Sequence, residues 1–510
     1  MKTMRSLTFT AGLLCAIATA WGQADWPQHS ADYASTGYSK LTGITPKNVS
    51  NLHQLCSYPL GEDTTFESSL VEVNGTLYFT GSQYTYALDA ASCALKWRVR
   101  HEMQGPGGTV RGVGFADGRV YRGFSDGYII AYDARNGEQV WSSQLKETNG
   151  MPATIAASPL IWNGMLFIGT SGAERACGCV IAGLDAKTGK VVWTFAVVPE
   201  GDAKGAESWP KGVHIGGGSV WTSLSIDPQS GALYVPTGNP GPDFSGAYRP
   251  GANLYTGSIV VLDAMKGSLR TWYQLVPHDI HDWDQAAAPA LITTKGGQRR
   301  AMAGGKDGFL HAIDITAGKV AWKTPVATIE NADAPLTPEG THVCPGAGGA
   351  VLWNGPAYSP ATNLVYVNSM DQCSTLKLDT KLPEFEAGKM FLGSANAFGD
   401  NDPMKTGWVT AVDADSGMVR WRNHMTTPMV AGIAVTASGL LMTADLNGDF
   451  LAYDAATGKE LHRIATGKPG GGGVITYQAG GSQKVAMAAG LEDRIIGSSG
   501  KAEVIVFGLK

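Results

Sequence analysis

Short hydrophobic runs separated by polar turns recur along almost the whole chain. A run such as Tyr128-Ile-Ile-Ala-Tyr132 is rich in β-branched and aromatic residues, and a second short run that ends in Trp141 follows it. Between the two stands Asp133-Ala-Arg-Asn-Gly137, whose Asp and Gly are typical of tight turns. Each unit is therefore predicted to be a strand, a turn and a second strand.

The same spacing of Asp, Gly and Trp identifies seven copies of this unit. Their aspartates are Asp89, Asp133, Asp185, Asp263, Asp314, Asp413 and Asp454. They are 44, 52, 78, 51, 99 and 41 residues apart, the period of a four-stranded sheet, and the longest interval has room for a degenerate eighth copy. Such sheets bury their faces by stacking around a central channel. The repeats thus predict an all-β, eight-bladed β-propeller with tryptophan-docking-type repeats, in which the Trp residues pack between blades.

Composition and length agree with a single repeat domain. Glycine accounts for 67 of the 510 residues, roughly double the usual ~7%, and charged residues for 16%, below the usual ~25%. No linker divides residues 25–510, which we expect to form one propeller domain. A formal net charge of -5 without a basic block argues against a nucleic-acid partner.

The first 24 residues have the features of a secretory signal peptide. Lys2 and Arg5 precede an apolar stretch over residues 7–20, and Gly22-Gln-Ala24 offers a small-residue cleavage site. The apolar stretch is short for a membrane span and no longer one follows, so no span is expected. We therefore predict an exported protein, most simply one of a bacterial periplasm, where disulfides persist.

Six cysteines follow the predicted cleavage site, and an even number in an exported protein indicates disulfide bonds. The pairs that we predict are Cys56 with Cys93 and Cys344 with Cys373. Cys177 and Cys179 are separated by one glycine, so they form either a small strained ring or two free thiols, and the sequence leaves both open. No Cys-x-x-Cys-His motif occurs, which argues against a covalently attached haem.

The candidate chemistry lies in segments that interrupt the repeats. Four of them are Ser171-Gly-Ala-Glu174, Gly216-Gly-Gly-Ser-Val-Trp221, Thr237-Gly-Asn239-Pro-Gly-Pro242 and Pro277-His-Asp279-Ile-His-Asp282-Trp-Asp284. Their carboxylate and amide oxygens suit a hard cation that takes several oxygen ligands. Taken singly, each segment is equally compatible with an ordinary turn or a solvated loop.

Taken together and in this order, the segments resemble the pyrroloquinoline quinone (PQQ)-dependent alcohol dehydrogenases of the methanol and ethanol dehydrogenase type, here without a c-type haem domain. The resemblance extends from Trp26-Pro-Gln-His to the C-terminal strand, which is nearly all of the mature chain. It implies an eight-bladed propeller that oxidises a small-molecule or polymeric alcohol. It also implies that the electrons pass to a soluble cytochrome c.

Position by position, the resemblance implies three groups of site residues. The catalytic residues are Asp282, as the base, and Lys306, beside the quinone oxygens. The residues expected to bind the cofactor are Glu67, Arg111, Ser171, Gly172, Ala173, Trp221, Lys306, Trp353 and Asn354. The residues expected to bind the metal, Ca²⁺ or a lanthanide ion, are Glu174, Asn239, Asp282 and Asp284. An acid at the position of Asp284 resembles the lanthanide-binding variant of the family. A tricarboxylated quinone needs cationic partners such as Arg111 and Lys306.

The chain departs from the family at several positions. Gly105-Pro-Gly-Gly-Thr109 stands where adjacent cysteines usually cover the cofactor, and His281 stands where a Trp usually precedes the base. Leu352 replaces an Asn, and no aromatic residue is found near Met429-Val430. The missing cysteine lid favours an alternative, a propeller that acts as a binding or assembly scaffold without a cofactor. The retained acids and cations oppose it, because a scaffold needs no anion pocket beside a metal site.

Overall fold

The computed structural model describes residues 25–62, 65–104, 108–211, 216–381, 384–386, 389–394, 396 and 400–510. Within these ranges the protein consists of 36 β-strands and four single-turn 3-10 helices, so the predicted all-β class is confirmed. None of the helices in these ranges has the length and apolar character needed to cross a membrane. The predicted signal peptide over residues 1–24 and most of the segment that replaces the cysteine lid lie outside the described residues.

The strands are short, as the lengths of the hydrophobic runs predict. In chain order they are β1 (Tyr38–Ser39), β2 (Leu52–Pro59), β3 (Val71–Val73), β4 (Thr76–Thr80), β5 (Tyr84–Asp89), β6 (Leu95–Arg100), β7 (Gly114–Ala116), β8 (Arg119–Gly123), β9 (Tyr128–Asp133), β10 (Gln139–Gln144), β11 (Leu160–Trp162), β12 (Met165–Gly169), β13 (Val180–Asp185), β14 (Val191–Ala196), β15 (Ser225–Asp227), β16 (Ala232–Pro236), β17 (Ser258–Asp263), β18 (Leu269–Gln274), β19 (Ala290–Thr293), β20 (Arg299–Gly304), β21 (Phe309–Asp314), β22 (Lys319–Pro325), β23 (Thr341–Val343), β24 (Ala357–Ser359), β25 (Leu364–Asp371), β26 (Ser374–Leu376), β27 (Asp400–Asn401), β28 (Thr406–Asp413), β29 (Val419–Met425), β30 (Ala434–Thr436), β31 (Leu440–Ala444), β32 (Asp449–Asp454), β33 (Glu460–Ala465), β34 (Gly470–Ala479), β35 (Ser482–Ala489) and β36 (Glu503–Leu509). The 3-10 helices span Val49–Asn51, Ala173–Arg175, Ala206–Ser208 and Gly246–Tyr248.

Consecutive strands pair into antiparallel sheets. The four-stranded sheets made along the chain are β3 to β6, β7 to β10, β11 to β14, β15 to β18, β19 to β22, and β24 with β25, β28 and β29. β30 to β33 form a further sheet, to which β1 adds in parallel beside β30. β34 to β36 are completed by β2 from the other end of the chain, and Leu52 of β2 pairs with Leu509 of β36. β23, β26 and β27 make a smaller three-stranded sheet.

In its described residues, the interval between Asp314 and Asp413 does not contain the degenerate four-stranded copy for which the spacing leaves room. It holds β22 of the preceding sheet, the three-stranded sheet and the first three strands of the sheet that β29 completes. The four-stranded sheet without an Asp, Gly and Trp signature is instead the one that β2 and β34 to β36 form. The prediction misplaced this sheet because its strands come from both ends of the chain, where no local repeat marks them.

Five of the repeated tryptophans pack on the glycine of the next repeat unit. The pairs are Trp97 with Gly137, Trp141 with Gly189, Trp193 with Gly267, Trp322 with Gly417 and Trp421 with Gly458. Gly137 has a φ of +75°, and a Cβ at this position would approach the Trp97 ring to 2.9 Å, so the turn requires glycine. The Trp97 Nε1 also donates a hydrogen bond to the carbonyl oxygen of Ala134 at 2.9 Å. The turn of one sheet therefore holds the Trp of the preceding sheet.

Trp272 departs from this pattern, because four residues separate it from Gly267, whereas three separate Gly137 from Trp141. Trp272 instead packs edge-on against Tyr255, with 5.2 Å between the ring centroids.

Buried apolar side chains fill the interfaces between successive sheets. Ile129 of β9 and Leu166 of β12 belong to one cluster, and Phe79 of β4 and Phe507 of β36 belong to another. The second cluster joins the first repeat to the sheet that β2 forms with β34 to β36. The core is thus distributed over the interfaces, which leaves the loops between strands available for the site.

Candidate active site

A cavity of about 600 Å³ lies where loops from many of the sheets converge. Ten of the predicted site residues line it: Glu67, Arg111, Ser171, Gly172, Glu174, Trp221, Asp282, Asp284, Lys306 and Trp353. Each stands in a connection outside the strands, as Glu67 does before β3 and Lys306 does between β20 and β21. The structure therefore brings the interruptions of the repeats together, whereas the chemical roles of these residues remain predictions.

Lys306 lies between two carboxylates that line this cavity. Its Nζ is 3.1 Å from Asp282 Oδ2 and 2.9 Å from Asp284 Oδ2; the two carboxylates are buried, and the Lys306 side chain is 12% exposed. Burial alone would lower the pKa of Lys306, but the negative charges of Asp282 and Asp284 raise it above its ordinary value. Lys306 is therefore a permanent cation that compensates part of the charge of the two acids.

A tight loop between β18 and β19 places Asp282 at the cavity. The buried carboxylate of Asp279 accepts hydrogen bonds from the backbone N–H groups of His281, at 3.0 Å, and Trp283, at 2.8 Å. Asp282 itself has a φ of +63°, in the left-handed region that non-glycine residues seldom adopt. Such strained positions concentrate at functional sites. Asp279, which sequence reasoning treated only as part of a motif, is thus the residue that shapes this loop.

Asp284 is held in place by three donors. Its Oδ1 accepts a hydrogen bond from the backbone N–H of Asn239 at 2.7 Å, and its Oδ2 accepts one from Trp221 Nε1 at 3.2 Å. Lys306 is the third donor. A Cβ at Gly238 would lie 2.3 Å from Asp284 Oδ1, so the glycine before Asn239 makes room for this carboxylate.

A second ion pair, between Arg111 and Glu67, lies on another wall of the cavity. The Arg111 guanidinium is 4.4 Å from the ring centroid of Trp221 and 5.3 Å from that of Trp353, within the range of cation–π attraction. Burial raises the pKa of Glu67 to about 7, although Arg111 opposes this increase. The Arg111 Nε has no hydrogen-bond partner among the described residues, so one donor of the buried guanidinium is unused.

Three predicted site residues do not line the cavity. Ala173 and Asn239 are almost fully buried, and the backbone N–H of Ala173 donates to Ser219 Oγ at 2.8 Å. Asn239 contacts Asp284 through its backbone, as described above, and its Nδ2 donates to the carbonyl oxygen of Pro240 at 3.2 Å. The Asn354 Nδ2 donates to the carbonyl oxygens of Val430, in the loop before β30, and of Gly471, in β34, so in this structure Asn354 joins that loop to β34.

Ser219 is a site residue that sequence reasoning did not single out. Its hydroxyl oxygen accepts hydrogen bonds from the backbone N–H groups of both Gly172 and Ala173, at 3.0 and 2.8 Å. These two bonds tie the loop that carries Glu174 to the loop that carries Trp221. A small hydroxyl residue within a glycine-rich segment was the available signal.

Asp243 is the second such residue, four positions after Asn239. Its side chain is fully buried, and neither carboxylate oxygen has a hydrogen-bond partner in the part of the chain that the structure describes. Burial raises the pKa of Asp243 well above its ordinary value, and the negative charges of Asp282, Glu174 and Asp284 raise it further. An acid directly after the turn that contains Asn239 was the sequence signal.

The charges of neighbouring residues also shift the pKa of Asp282, the predicted base. Burial raises the pKa of Asp282 well above its ordinary value; Lys306 lowers this pKa, and Asp284 and Glu174 raise it. A compensating cation beside the acids would therefore favour the ionised form of Asp282.

All six cysteines after the predicted cleavage site are paired. The predicted disulfides Cys56–Cys93 and Cys344–Cys373 are confirmed. Cys177 and Cys179, which the sequence left open, form a third disulfide, and Cys177 lines the cavity close after Glu174.

Comparison with known proteins gives two family matches. The family model described as glucose/ethanol/alcohol dehydrogenase, β-propeller domain, matches residues 26–331. The model described as outer membrane protein assembly factor BamB matches residues 405–488.

The similarity to known proteins and structures covers almost the whole chain. Quinohemoprotein alcohol dehydrogenase of Comamonas testosteroni is 30% identical over 522 residues, which cover 93% of this chain and 73% of the relative. Lanthanide-dependent methanol dehydrogenase of Methylacidiphilum fumariolicum (strain SolV) is 27% identical over 505 residues, with 89% and 82% covered. The structure of a europium-containing methanol dehydrogenase superposes with a TM-score of 0.85 at 25% identity, covering 96% of this chain and 98% of the other.

Proposed function

Since the chain belongs to the β-propeller family of PQQ-dependent alcohol dehydrogenases, we propose that it oxidises an alcohol in the periplasm by metal-assisted hydride transfer to the quinone and passes the electrons to a separate cytochrome c. The observation that carries this proposal is the cavity in which Lys306 bridges Asp282 and Asp284 beside the Arg111–Trp221 pair. Acids, cations and an indole face therefore occur together where a charged, planar ligand can contact all of them. The larger sheets would be the eight blades around that site.

The residues present fit a planar, anionic quinone. Arg111 has an unused buried donor, and Lys306 Nζ lies 5.9 Å from the centroid of the same Trp221 ring. Trp221 would be the surface on which the quinone stacks, and the two cations would bind its carboxylates and oxygens. Trp353 and the loop over Ser171 to Ala173 would complete the pocket.

The donor set also fits a metal ion. Glu174, Asn239, Asp282 and Asp284 offer only carboxylate and amide oxygens, the ligands that hard cations prefer. The acids outnumber the single ammonium of Lys306, so a cation would relieve the excess negative charge. A trivalent lanthanide would do so more fully than Ca²⁺, and we propose that it is the ion preferred here.

When bound, the quinone accepts the hydride and the metal ion polarises its carbonyl group. Asp282 would remove the proton from the hydroxyl group of the alcohol, which requires an ionised carboxylate at its Oδ atoms. Lys306 holds Asp282 in position and, together with the metal charge, opposes the increase in its pKa that burial causes. Asp279 fixes the backbone of the loop, so the base does not have to reorganise during the reaction.

The alternative is a scaffold without a cofactor, and the match of residues 405–488 to the BamB model supports it. The matched residues, however, include none of those that line the cavity. The Lys306 and Arg111 ion pairs are costly to bury in a protein that binds no ligand there. We therefore favour the enzyme.

Reconstitution of the purified protein tests the proposal. The chain is incubated with PQQ and either CaCl₂ or LaCl₃, and dye reduction is followed with a panel of small and polymeric alcohols. Asp282→Asn should reduce turnover by a factor of roughly 10² to 10⁴ while quinone absorbance stays with the protein, because only the proton acceptor is lost. Asp126→Asn removes another buried acid, one that pairs with His101 outside the cavity, and should keep the activity. Full activity of Asp282→Asn would show that the base is wrongly assigned, whereas a wild-type chain that binds no quinone would support the scaffold.

A further inference from the structure

The buried carboxylate of Asp243 has no function in the account given so far. It lies four residues after Asn239 and three residues before the start of the short helix Gly246–Tyr248. Its side chain is fully buried, and both of its oxygens lack a hydrogen-bond partner among the described residues. Leaving two buried acceptors unsatisfied costs free energy, so a carboxylate in this state indicates a missing partner.

The surrounding charges show that the missing partner is positive. The loop that carries Asp243 lies beside the proposed metal ligands, because the backbone N–H of Asn239 donates to Asp284 Oδ1 and Arg249 Nη2 donates to the carbonyl oxygens of both Asp243 and Asp279. The acids whose charges act on Asp243 are Asp282, Glu174 and Asp284. Four carboxylates thus share one region with the single ammonium of Lys306, which already bridges Asp282 and Asp284. If all four are ionised, the ammonium of Lys306 alone does not compensate their negative charge, so a metal cation would be stabilised here.

The nearby guanidinium of Arg249 acts on Asp243 through its charge, but among the described residues it donates no hydrogen bond to the Asp243 carboxylate. Arg249 is fully buried, and its donors contact the carbonyl oxygens of Pro242, Asp243 and Asp279 and the side chain of Asn253. These bonds tie the loop that carries Asp243 to the loop that carries Asp282. The side chain of Asp243 is therefore positioned by its backbone and free to bind another group.

We propose that Asp243 is a further ligand of the metal ion, so that four carboxylates rather than three surround the cation and strengthen the preference for a trivalent over a divalent ion. The inference rests on the proposed function, because it assumes that Glu174, Asp282 and Asp284 bind a metal. It extends that function by assigning a residue outside the predicted ligand set, and it explains why an acid is buried here without hydrogen bonds.

Terbium binding tests the assignment without enzymatic turnover. Trp221 donates to Asp284, so an indole lies beside the proposed site and should sensitise Tb³⁺ luminescence. The wild-type chain, freed of metal by a chelator, is titrated with Tb³⁺ and separately with Ca²⁺ in competition. Asp243→Asn should weaken Tb³⁺ binding at least tenfold and Ca²⁺ binding less, because one negative charge is lost. Asp243→Ala should increase the number of water molecules bound to Tb³⁺, measured from lifetimes in H₂O and D₂O, by about one.

Glu72→Gln is the matched control. Glu72 is also fully buried with one unpartnered oxygen, but its charged neighbours are Asp25 and Lys96. It should leave Tb³⁺ affinity and the number of bound waters unchanged.

Thermal unfolding of the metal-free proteins separates a ligand from a structural residue. If Asp243 binds the metal, Asp243→Asn should leave the melting temperature of the metal-free chain unchanged or higher, because the buried carboxyl group makes no hydrogen bond there, while the increase caused by Tb³⁺ becomes smaller. A lower melting temperature or loss of folding in metal-free Asp243→Asn would overturn the assignment, as would unchanged Tb³⁺ affinity and hydration. A wild-type chain that does not bind Tb³⁺ would instead refute the proposed metal site as a whole.

Discussion

Replacing Lys306 by Met tests two effects of its ammonium group. The group compensates the negative charge of Asp282 and Asp284, and it repels a metal cation that the same acids bind. The Nζ lies 3.1 and 2.9 Å from the oxygens of Asp282 and Asp284. Removing one partner of a buried ion pair usually costs about 3–5 kcal/mol, because the remaining charge stays buried without compensation. Lys306→Met should therefore lower the free energy of unfolding of the metal-free protein by roughly this amount.

The effect on metal binding should have the opposite sign. The ammonium repels a cation bound by the same acids, so its removal should strengthen La³⁺ binding on the order of 30-fold, or about 2 kcal/mol. Saturating La³⁺ should then restore most of the lost stability, because the bound ion compensates the acids instead of Lys306. Turnover should still be lost, since the cation beside the quinone oxygens is absent.

Chemical denaturation with and without La³⁺, combined with calorimetric titration of La³⁺, measures both effects. Lys377→Met is the matched control, because Lys377 Nζ is likewise 2.9 Å from a carboxylate oxygen, that of Asp400, but both side chains are exposed. Such a surface pair contributes about 0–1 kcal/mol. The reasoning is refuted if metal-free Lys306→Met is as stable as Lys377→Met, or if its La³⁺ affinity does not increase.

Three further results follow from the structure. Gly238→Ala should weaken La³⁺ binding at least tenfold in calorimetric titration, with little loss of fold. The added Cβ would lie only 2.3 Å from Asp284 Oδ1 and would displace that carboxylate. Unchanged affinity would show that the position of the Asp284 carboxylate is unimportant for binding. Trp221→Ala should lower PQQ affinity at least roughly tenfold in equilibrium dialysis, since both the stacking surface and the support of Arg111 are lost. Burial raises the pKa of Glu72 from its ordinary value of 4.5 to about 8. Between these two pH values the folded chain keeps a proton on Glu72 that the unfolded chain has released. Wild-type stability should therefore fall relative to Glu72→Gln by a few kcal/mol as pH rises from 5 to 8.5, and parallel stability curves in urea unfolding would contradict this.

The repeat architecture could be predicted from sequence because its signature is local. Asp133, Gly137 and Trp141 stand within nine residues, and the structure uses each of them: the turn needs the Asp and the Gly, and the Trp packs on the next turn. The sheet that β2 forms with β34 to β36 could not be located in this way. Its strands β2 and β36 are more than 440 residues apart, and no local spacing records their pairing.

The candidate site was predictable for a similar reason, and incompletely. Residues such as Glu174 and Asp282 interrupt the repeats, and interruptions at equivalent positions of successive sheets must meet at the same end of the fold. Sequence does not indicate whether a side chain or a backbone group faces the cavity, so it could not show that the Asn354 side chain donates to the carbonyl oxygens of Val430 and Gly471 instead. Asp243 was missed because its distinguishing feature, a buried carboxylate without a partner, exists only in three dimensions.

The pairing of β2 with β36 has a consequence for biosynthesis. Leu52 cannot meet Leu509 until the ribosome has completed almost the entire polypeptide, so the last interface forms only after translation has ended. Contacts between such distant segments also form slowly, because closing a long loop costs entropy before the contact can compensate for it. A nascent chain would therefore remain an open array of sheets until its last strand is available to pair with β2.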